Sequence, residues 1–438
     1  MAGSRADSVA VVALGCRVGR ADAGSVLSGL SPGFRAASPG EAADWVVVST
    51  CSVTADAAAS SRQAVRRAAR QHPGARIVVA GCHASQEATL LAALPGVAAV
   101  VEPADHPALP TVLASLRSGA GAGEAIVAAR RTAPPWSASP RPGAGAARPV
   151  LKVQDGCDDR CAYCAVPMAR GASRSLPLEE CLSRISAHGL GRSEVVLSGV
   201  HLGAWGRDLS PRLRLADLVR ATAARRAVGR IRLSSIEPME FPVGLLGEDA
   251  GAILCEHFHL PLQSGSDRML ASMGRPYTAS GYARVVGGVA RSRPGAAIGA
   301  DVMAGFPGES EEDHRATLAL LSSLPLAYLH VFAFSPRPGT RAAAMDGRPP
   351  PEVAERRAGE LRELGASRWS AFQEGLRGRE LEVVVERIHG LGASGTSREY
   401  ATVRFPVQGA IRGALARVRA GDAGVRLGSK VAQVAAPS

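Results

Sequence analysis

Apolar and polar positions along this chain follow a strand–helix rhythm that starts near the N-terminus. Apolar runs cover residues 9–14, 45–49 and 76–80, each of the right length for one buried β-strand. Residues 56–71, between the second and third runs, have the spacing of an amphipathic helix that ends at a His-Pro-Gly turn. Strands that alternate with helices predict a doubly wound, parallel α/β domain over residues 1–127.

The same rhythm resumes after a stretch rich in Pro, Ala and Gly. Residues 128–148 have no periodicity and are predicted to form a linker. Residues 149–372 then contain six strand-like runs separated by helical segments, which predicts a partial (β/α)6 barrel with its active-site loops at the carboxyl ends of the strands. The runs are 150–153, 194–198, 230–234, 257–260, 298–304 and 328–334, and a long charged helix over 352–372 follows them.

The pattern changes again in the last segment, residues 373–438. Short apolar runs at 380–388, 400–405, 414–418 and 430–434 are separated by Gly-rich turns, which predicts a small β-barrel. From residue 375 onwards there are ten Lys or Arg against five Asp or Glu. A basic small barrel attached to a catalytic domain favours contact with nucleic acid.

Composition agrees with several domains and a polyanionic partner. The 438 residues exceed what one hydrophobic core usually organises. The formal charge of +12 favours nucleic acid, although the chain has no Asn and only Lys152 and Lys430 as lysines, a bias that a GC-rich genome would also produce. Because no apolar run reaches the length of a membrane span and the N-terminus does not resemble a secretory signal, a cytoplasmic protein without a membrane partner is expected.

Three of the eight cysteines directly follow the predicted N-terminal strands. Cys16, Cys51 and Cys82 would meet at one edge of the sheet, because parallel strands end on the same side. Small buried residues at strand ends are the alternative, since cysteine packs well in cores. The same placement three times favours a shared metal or iron–sulfur cluster.

A second group of cysteines is close together in sequence. Cys157, Cys161 and Cys164 lie in the loop after the first predicted barrel strand, where active-site residues belong. Three thiolates can bind three irons of a [4Fe–4S] cluster and leave the fourth iron open to a small chelating molecule. A structural zinc site would need a fourth ligand at short spacing, and none is present.

This cysteine motif, with the aromatic Tyr163 before the last cysteine, resembles the radical S-adenosylmethionine (SAM) superfamily. The resemblance implies that SAM binds the open iron and is cleaved to a 5′-deoxyadenosyl radical. Nearly the whole chain is further similar to the methylthiotransferases. This similarity implies a second [4Fe–4S] cluster on Cys16, Cys51 and Cys82, and a C-terminal RNA-binding TRAM domain.

Among the methylthiotransferases, the chain resembles most the branch that modifies N6-threonylcarbamoyladenosine at position 37 of tRNA. The similarity includes Arg-Leu-Ser-Ser-Ile-Glu-Pro over residues 232–238 and Phe-Ser-Pro-Arg-Pro-Gly-Thr over residues 334–340. It implies that a methylthio group is added to C2 of the adenine, with an electron donor such as a flavodoxin or ferredoxin and with a monomeric enzyme as the simplest expectation. The alternatives are isopentenyladenosine in tRNA, a ribosomal-protein aspartate, or a non-catalytic, metal-containing RNA-binding protein.

Several further residues are candidates for contact with SAM or for other chemistry. Tyr163, Gly199, Ser235, Glu237 and Gln263 are predicted to bind SAM, although Gly199 also suits a plain turn and Ser235 with Glu237 a polar cluster. His257 and His259 are predicted to be polar residues of the barrel interior, because the sequence shows no third metal ligand beside them. Arg170 and Arg174 could contact phosphate, with surface salt bridges as the commoner case.

Overall fold

The computed structural model describes residues 5–38, 40–52, 54–132, 136–137, 147–189, 193–407 and 409–428. The N-terminal part is a parallel five-stranded sheet in the order β2-β1-β3-β4-β5. Its strands are β1 (Asp7–Ala13), β2 (Phe34–Ala36), β3 (Trp45–Thr50), β4 (Arg76–Gly81) and β5 (Val97–Val101). Its helices are α1 (Arg17–Ser28), α2 (Ala55–Gln71), α3 (Ala88–Ala92), α4 (Leu109–Arg117) and α5 (Ala122–Thr132).

Both faces of this sheet are buried, as the continuous apolar runs predict. Val47 and Val78 point to one face, where they pack with Leu113 of α4, while Val48 and Val79 point to the other face, where they pack with Val65 of α2. Thr54 starts α2 by accepting a hydrogen bond from the Ala57 amide at 3.1 Å. The doubly wound domain is therefore confirmed.

The segment predicted as a linker begins inside a helix. α5 continues to Thr132, so the predicted boundary at residue 127 falls within a helical turn. The helix continues because Ala, Arg and Thr extend the pattern of α5 before the first proline is reached. Most of the remaining linker lies outside the described residues.

The central part is an arc of parallel strands. β7-β6-β8-β9 form one sheet and β10-β11-β12 another, and an isolated parallel bridge pairs Ile231 of β9 with Leu254, just before β10. The strands are β6 (Val150–Asp155), β7 (Arg174–Ser175), β8 (Glu194–Gly199), β9 (Arg230–Leu233), β10 (His257–His259), β11 (Ala297–Ala304) and β12 (Tyr328–Ala333). The helices are α6 (Val166–Arg170), α7 (Leu178–Gly189), α8 (Leu215–Arg225), α9 (Asp267–Ser272), α10 (Ala279–Ser292), α11 (Glu311–Ser323) and α12 (Pro351–Glu374).

All six predicted barrel strands are present, with β7 as a short antiparallel addition beside β6. Leu151, Leu197 and Ile231 from consecutive strands belong to the largest apolar core of the protein. The partial barrel is confirmed, and it places the loops after β6, β8, β9 and β10 at one end.

The C-terminal part is an antiparallel, curled five-stranded sheet in the order β16-β13-β14-β15-β17. Its strands are β13 (Glu380–His389), β14 (Gly392–Ser397), β15 (Thr402–Pro406), β16 (Leu415–Arg419) and β17 (Arg426–Leu427). Its core includes Trp369 of α12, which attaches the sheet to the barrel. The strand predicted at 430–434 lies outside the described residues. Among the helices of the described segments, none combines the length and the apolar character that a membrane crossing demands.

Candidate active site between two sheet edges

The loop that carries Cys157, Cys161 and Cys164 follows β6 directly. The Cys157 amide donates to the Gly171 carbonyl at 3.1 Å, and the Cys164 amide donates to the Cys161 carbonyl at 3.1 Å, so the loop curls back on itself. Gly156 has a φ of +70°, and a Cβ there would lie 1.9 Å from the Ala172 carbonyl oxygen. Glycine is therefore required at the point where the loop leaves the strand.

The three thiols are partly buried and electrostatically linked. Burial, together with the neighbouring Cys161 and Cys157, raises the pKa of Cys164 to about 12. Burial also raises the pKa of Cys161, which Arg275 partly offsets. Three converging thiols in one curled loop are a donor set that suits iron, which binds the deprotonated form of cysteine.

Arg275 is a buried residue of this site that the sequence did not reveal. Its Nη1 atom lies 3.1 Å from the Cys161 sulfur and 3.4 Å from the Tyr163 hydroxyl. Its other end forms an ion pair with Glu237, and its Nε donates to Tyr277 at 3.0 Å. Arg275 thus connects the cysteine loop, which includes the predicted SAM residue Tyr163, to the predicted SAM residue Glu237.

His201 lies on the other side of the loop. Its Nδ1 is 3.5 Å from the Cys157 sulfur and 3.6 Å from Asp159, and its Nε2 contacts Glu240 at 2.6 Å. The charged side chains that line the site therefore pair with one another, and these contacts fix their positions.

The remaining predicted SAM residues lie at the same end of the barrel. Gly199 ends β8 and packs so closely on the side chain of Gln154 that a Cβ would lie 2.8 Å from its amide oxygen. Ser235 is exposed just after β9, and Gln263 is buried after β10 with a φ of +73°. The structure thus places all five predicted SAM residues at the carboxyl ends of the barrel strands. Arg275 bridges the cysteine loop and Glu237.

The second group of cysteines also converges. Cys16 caps α1 after β1, while Cys51 and Cys82 directly follow β3 and β4, the next two parallel strands of the sheet. A Cβ on Gly15 would lie 2.7 Å from the Cys51 sulfur, so the loop that carries Cys16 lies against Cys51. Burial raises the pKa of the Cys82 thiol, and Cys16 is one of the groups that act on it.

Arg170 connects the two groups of cysteines. It follows the Cys164 loop in α6, forms ion pairs with Asp22 of α1 at 3.0 Å and with Asp155 of β6 at 2.9 Å, and interacts electrostatically with Cys82 and Cys16. The expected surface salt bridge at this position is wrong, because Arg170 is only 5% exposed. Arg174, by contrast, is partly exposed and pairs with Asp155 at 3.5 Å.

Lys152 completes this buried network, which we call the interface network: Asp22, Lys152, Asp155 and Arg170. The Lys152 ammonium contacts Asp22 and, at 2.8 Å, Asp155. Burial by itself would raise the pKa of Asp22, but Lys152 and Arg170 outweigh it and the pKa is lowered. Two carboxylates and two cations therefore hold α1 against β6.

Replacing Lys152 with methionine should destabilise the protein by about 3 kcal/mol, because one cation is removed while two carboxylates stay buried. The measurement is the unfolding midpoint in denaturant, together with hydrogen exchange of α1. A carboxyl group whose pKa is lowered in the folded protein, as that of Asp22 is, stabilises the fold above its unfolded-state pKa of about 3.9, and this stability is lost as the pH falls. Without the Lys152 cation the pKa is lowered less, so the variant should lose less stability on acidification.

Arg225→Met is the matched control, because the exposed pair of Arg225 with Glu179 should contribute less than about 1 kcal/mol. Equal destabilisation by the two substitutions would contradict the role assigned to the interface network.

Comparison with known proteins agrees with this geometry. Residues 8–102 match the model described as uncharacterized protein family UPF0004, and residues 151–321 match the radical SAM superfamily. The fold resembles the radical SAM methyltransferase TsrM from Kitasatospora setae, with a TM-score of 0.60 at 15% identity over 77% of both chains.

Relatives of similar length share about a third of the sequence. The threonylcarbamoyladenosine tRNA methylthiotransferase MtaB of Aquifex aeolicus is 34% identical over 86% of this chain and 92% of its own length. The protein of that name from Chlamydia pneumoniae is 32% identical over 92% of both chains. The tRNA-2-methylthio-N(6)-dimethylallyladenosine synthase of Zymomonas mobilis is 36% identical over 86% of this chain and 85% of its own length. The chain therefore belongs to the radical SAM tRNA methylthiotransferase family.

Proposed function

We propose that this enzyme adds a methylthio group to C2 of N6-threonylcarbamoyladenosine at position 37 of tRNA. The observation that carries the proposal is the position of the two cysteine groups, one at the edge of the N-terminal sheet and one at the mouth of the barrel, on either side of the interface network. Family membership identifies a transferase and decides against the alternative of a non-catalytic RNA-binding protein.

Cys157, Cys161 and Cys164 would hold the [4Fe–4S] cluster to which SAM binds, and Cys16, Cys51 and Cys82 would hold a second one. When bound, the clusters and SAM supply the radical, the sulfur and the methyl group, since cofactors rather than side chains perform such chemistry. The protein's part is to bind and orient: Arg275 and His201 hold the first loop from both sides, while Tyr163, Gly199, Ser235, Glu237 and Gln263 surround the space for SAM.

The C-terminal sheet would deliver the tRNA. Arg404 and Arg426 are exposed and directly opposite each other on β15 and β17, and Arg417 and Arg419 are exposed on β16, the other edge strand of the sheet. Exposed arginines on one small sheet suit a phosphate backbone. An external electron donor such as a flavodoxin or ferredoxin and a monomeric state belong to the same proposal.

Nucleoside analysis of tRNA from a deletion strain tests the choice of substrate. We expect 2-methylthio-N6-threonylcarbamoyladenosine to disappear, to return with the wild-type gene and to stay absent with a Cys157→Ala gene. The dimethylallyl substrate is the second candidate because of the 36% identical relative named for it. Loss of the methylthiolated isopentenyl nucleoside, with the threonylcarbamoyl nucleoside unchanged, would select that candidate instead.

Arg275 should also tune the cluster held by Cys157, Cys161 and Cys164, because it places a positive charge and a hydrogen bond on the Cys161 sulfur. Arg275→Gln should lower the one-electron reduction potential by on the order of 60 mV, the equivalent of about 1.4 kcal/mol. Arg275→Lys, which keeps the charge, should give a smaller shift. A redox titration followed by electron paramagnetic resonance measures both, and an unchanged potential in Arg275→Gln would show that Arg275 has no such effect.

A further inference from the structure

Three polar side chains from neighbouring strands converge inside the barrel. His259 ends β10, Asp301 lies in the middle of β11, and His330 lies directly beside Asp301 on β12. The His259 Nε2 atom is 2.9 Å and the His330 Nδ1 atom 3.3 Å from the same oxygen of Asp301. One ligand atom from each residue lies within 4.8 Å of the other two.

A hydrogen bond on its other ring nitrogen fixes the orientation of His259. Its Nδ1 atom bonds the Tyr328 hydroxyl at 2.9 Å, which turns the Nε2 atom toward Asp301. His257 bonds the same hydroxyl at 2.7 Å, and both histidines are buried in the barrel interior. A metal-binding histidine is usually held in this way by a partner on its second ring nitrogen.

The hydrogen bonds of the cluster are incomplete. The His259 side chain is only 4% exposed, yet its Nε2 atom forms no aligned hydrogen bond with any described residue despite its 2.9 Å distance to Asp301. A cluster that was stabilised by hydrogen bonds alone would align this His259 nitrogen with Asp301, since a buried unpaired polar group costs about 1–3 kcal/mol.

We propose that His259, Asp301 and His330 bind one divalent transition-metal ion, with zinc, iron(II) and manganese as the class. Ligands at about 2.0–2.2 Å from such an ion are separated from one another by about 3.0–3.5 Å, close to the distances observed here. Two imidazoles and one carboxylate suit borderline metal ions rather than an iron–sulfur cluster. The proposed site uses none of the six cysteines assigned to clusters and does not depend on the proposed tRNA substrate.

Three protein ligands leave coordination positions open, as in catalytic rather than structural metal sites. The side chains of Asp301 and His330 are each 21% exposed, so water or an oxygen atom of a substrate can reach the ion. The sequence did not predict this site because no further metal ligand lies near His259 along the chain. The other two ligands, Asp301 and His330, come from the later strands β11 and β12.

Zinc binding by the reconstituted enzyme tests the proposal, because reconstitution with iron and sulfide is expected to fill the cysteines first. After equilibrium dialysis against micromolar zinc, mass spectrometry of both metals should show one zinc per chain in addition to the iron. Asp301→Asn and His330→Ala should each weaken zinc binding at least tenfold with unchanged iron. His389→Ala, which removes an exposed imidazole from β13, is the matched control and should bind zinc as the wild type does.

Zinc X-ray absorption separates the site from adventitious binding to thiols. Nitrogen and oxygen ligands at about 2.0–2.1 Å, without sulfur, are expected. The proposal is overturned if the wild type binds no zinc beyond its iron, if Asp301→Asn and His330→Ala both bind zinc as the wild type does, or if sulfur ligands at about 2.3 Å dominate.

Discussion

Replacing Cys157 with alanine is expected to reduce SAM cleavage to the level of a protein-free control. Cys157 follows β6 and Gly156, and its sulfur lies 3.5 Å from His201. The described loop contains no thiol besides Cys161 and Cys164 that could take its place. With two ligands left, the cluster cannot be held with one open iron. The measurement is 5′-deoxyadenosine formed from SAM under reducing conditions.

Cys181→Ala is the matched control for this loss. Cys181 is a fully buried thiol of α7 that packs in the barrel core. Its replacement costs packing energy, but it should leave SAM cleavage per folded chain unchanged. Cleavage at the wild-type rate by Cys157→Ala would remove this residue from the radical-generating site.

Replacing Cys16 with alanine is expected to separate the two halves of the reaction. Cys16 is exposed at the start of α1 and makes no side-chain capping bond, so its loss should barely affect folding. Iron should fall from about eight to about four per chain, because the proposed second cluster would be lost. SAM cleavage should continue, whereas methylthiolated tRNA should fall below detection.

The comparison that decides this prediction is the ratio of the two products in one sample. A Cys16→Ala enzyme that forms 5′-deoxyadenosine without methylthiolated tRNA supports two clusters with separate tasks. A variant that methylthiolates tRNA at the wild-type rate would show that Cys16 holds no cluster needed for sulfur transfer. A variant that loses SAM cleavage as well would show that both cysteine groups serve one step.

Local patterns were sufficient to predict much of this fold. The apolar runs at 45–49 and 76–80 became β3 and β4 because each is buried on both faces, a signal that needs no distant partner. Parallel strands end at one edge, so the convergence of Cys16, Cys51 and Cys82 followed from sequence position alone. The strand β14, with the sequence Gly-Ala-Ser-Gly-Thr-Ser, was missed because it has almost no β-branched residues and is held by β13 and β15.

The parts of the site that could not be predicted depend on distant pairs. Arg275 reaches Cys161 from more than a hundred residues away, and Asp22 reaches Lys152 across the predicted linker. In a chain so rich in arginine, a single arginine has no local signature that separates a buried partner from a surface charge. Lys152 offered one usable signal of a buried charge, since it is one of only two lysines in the chain and lies within a strand.

The most direct test of the central claim uses the purified, reconstituted enzyme with SAM, a reductant and two tRNAs, one carrying N6-threonylcarbamoyladenosine and the other isopentenyladenosine at position 37. Mass spectrometry of the nucleosides should find the methylthio group on the threonylcarbamoyladenosine, at a yield that depends on Cys16 and Cys157. SAM cleavage without methylthiolation of that nucleoside, or methylthiolation of the isopentenyl nucleoside alone, would contradict the account.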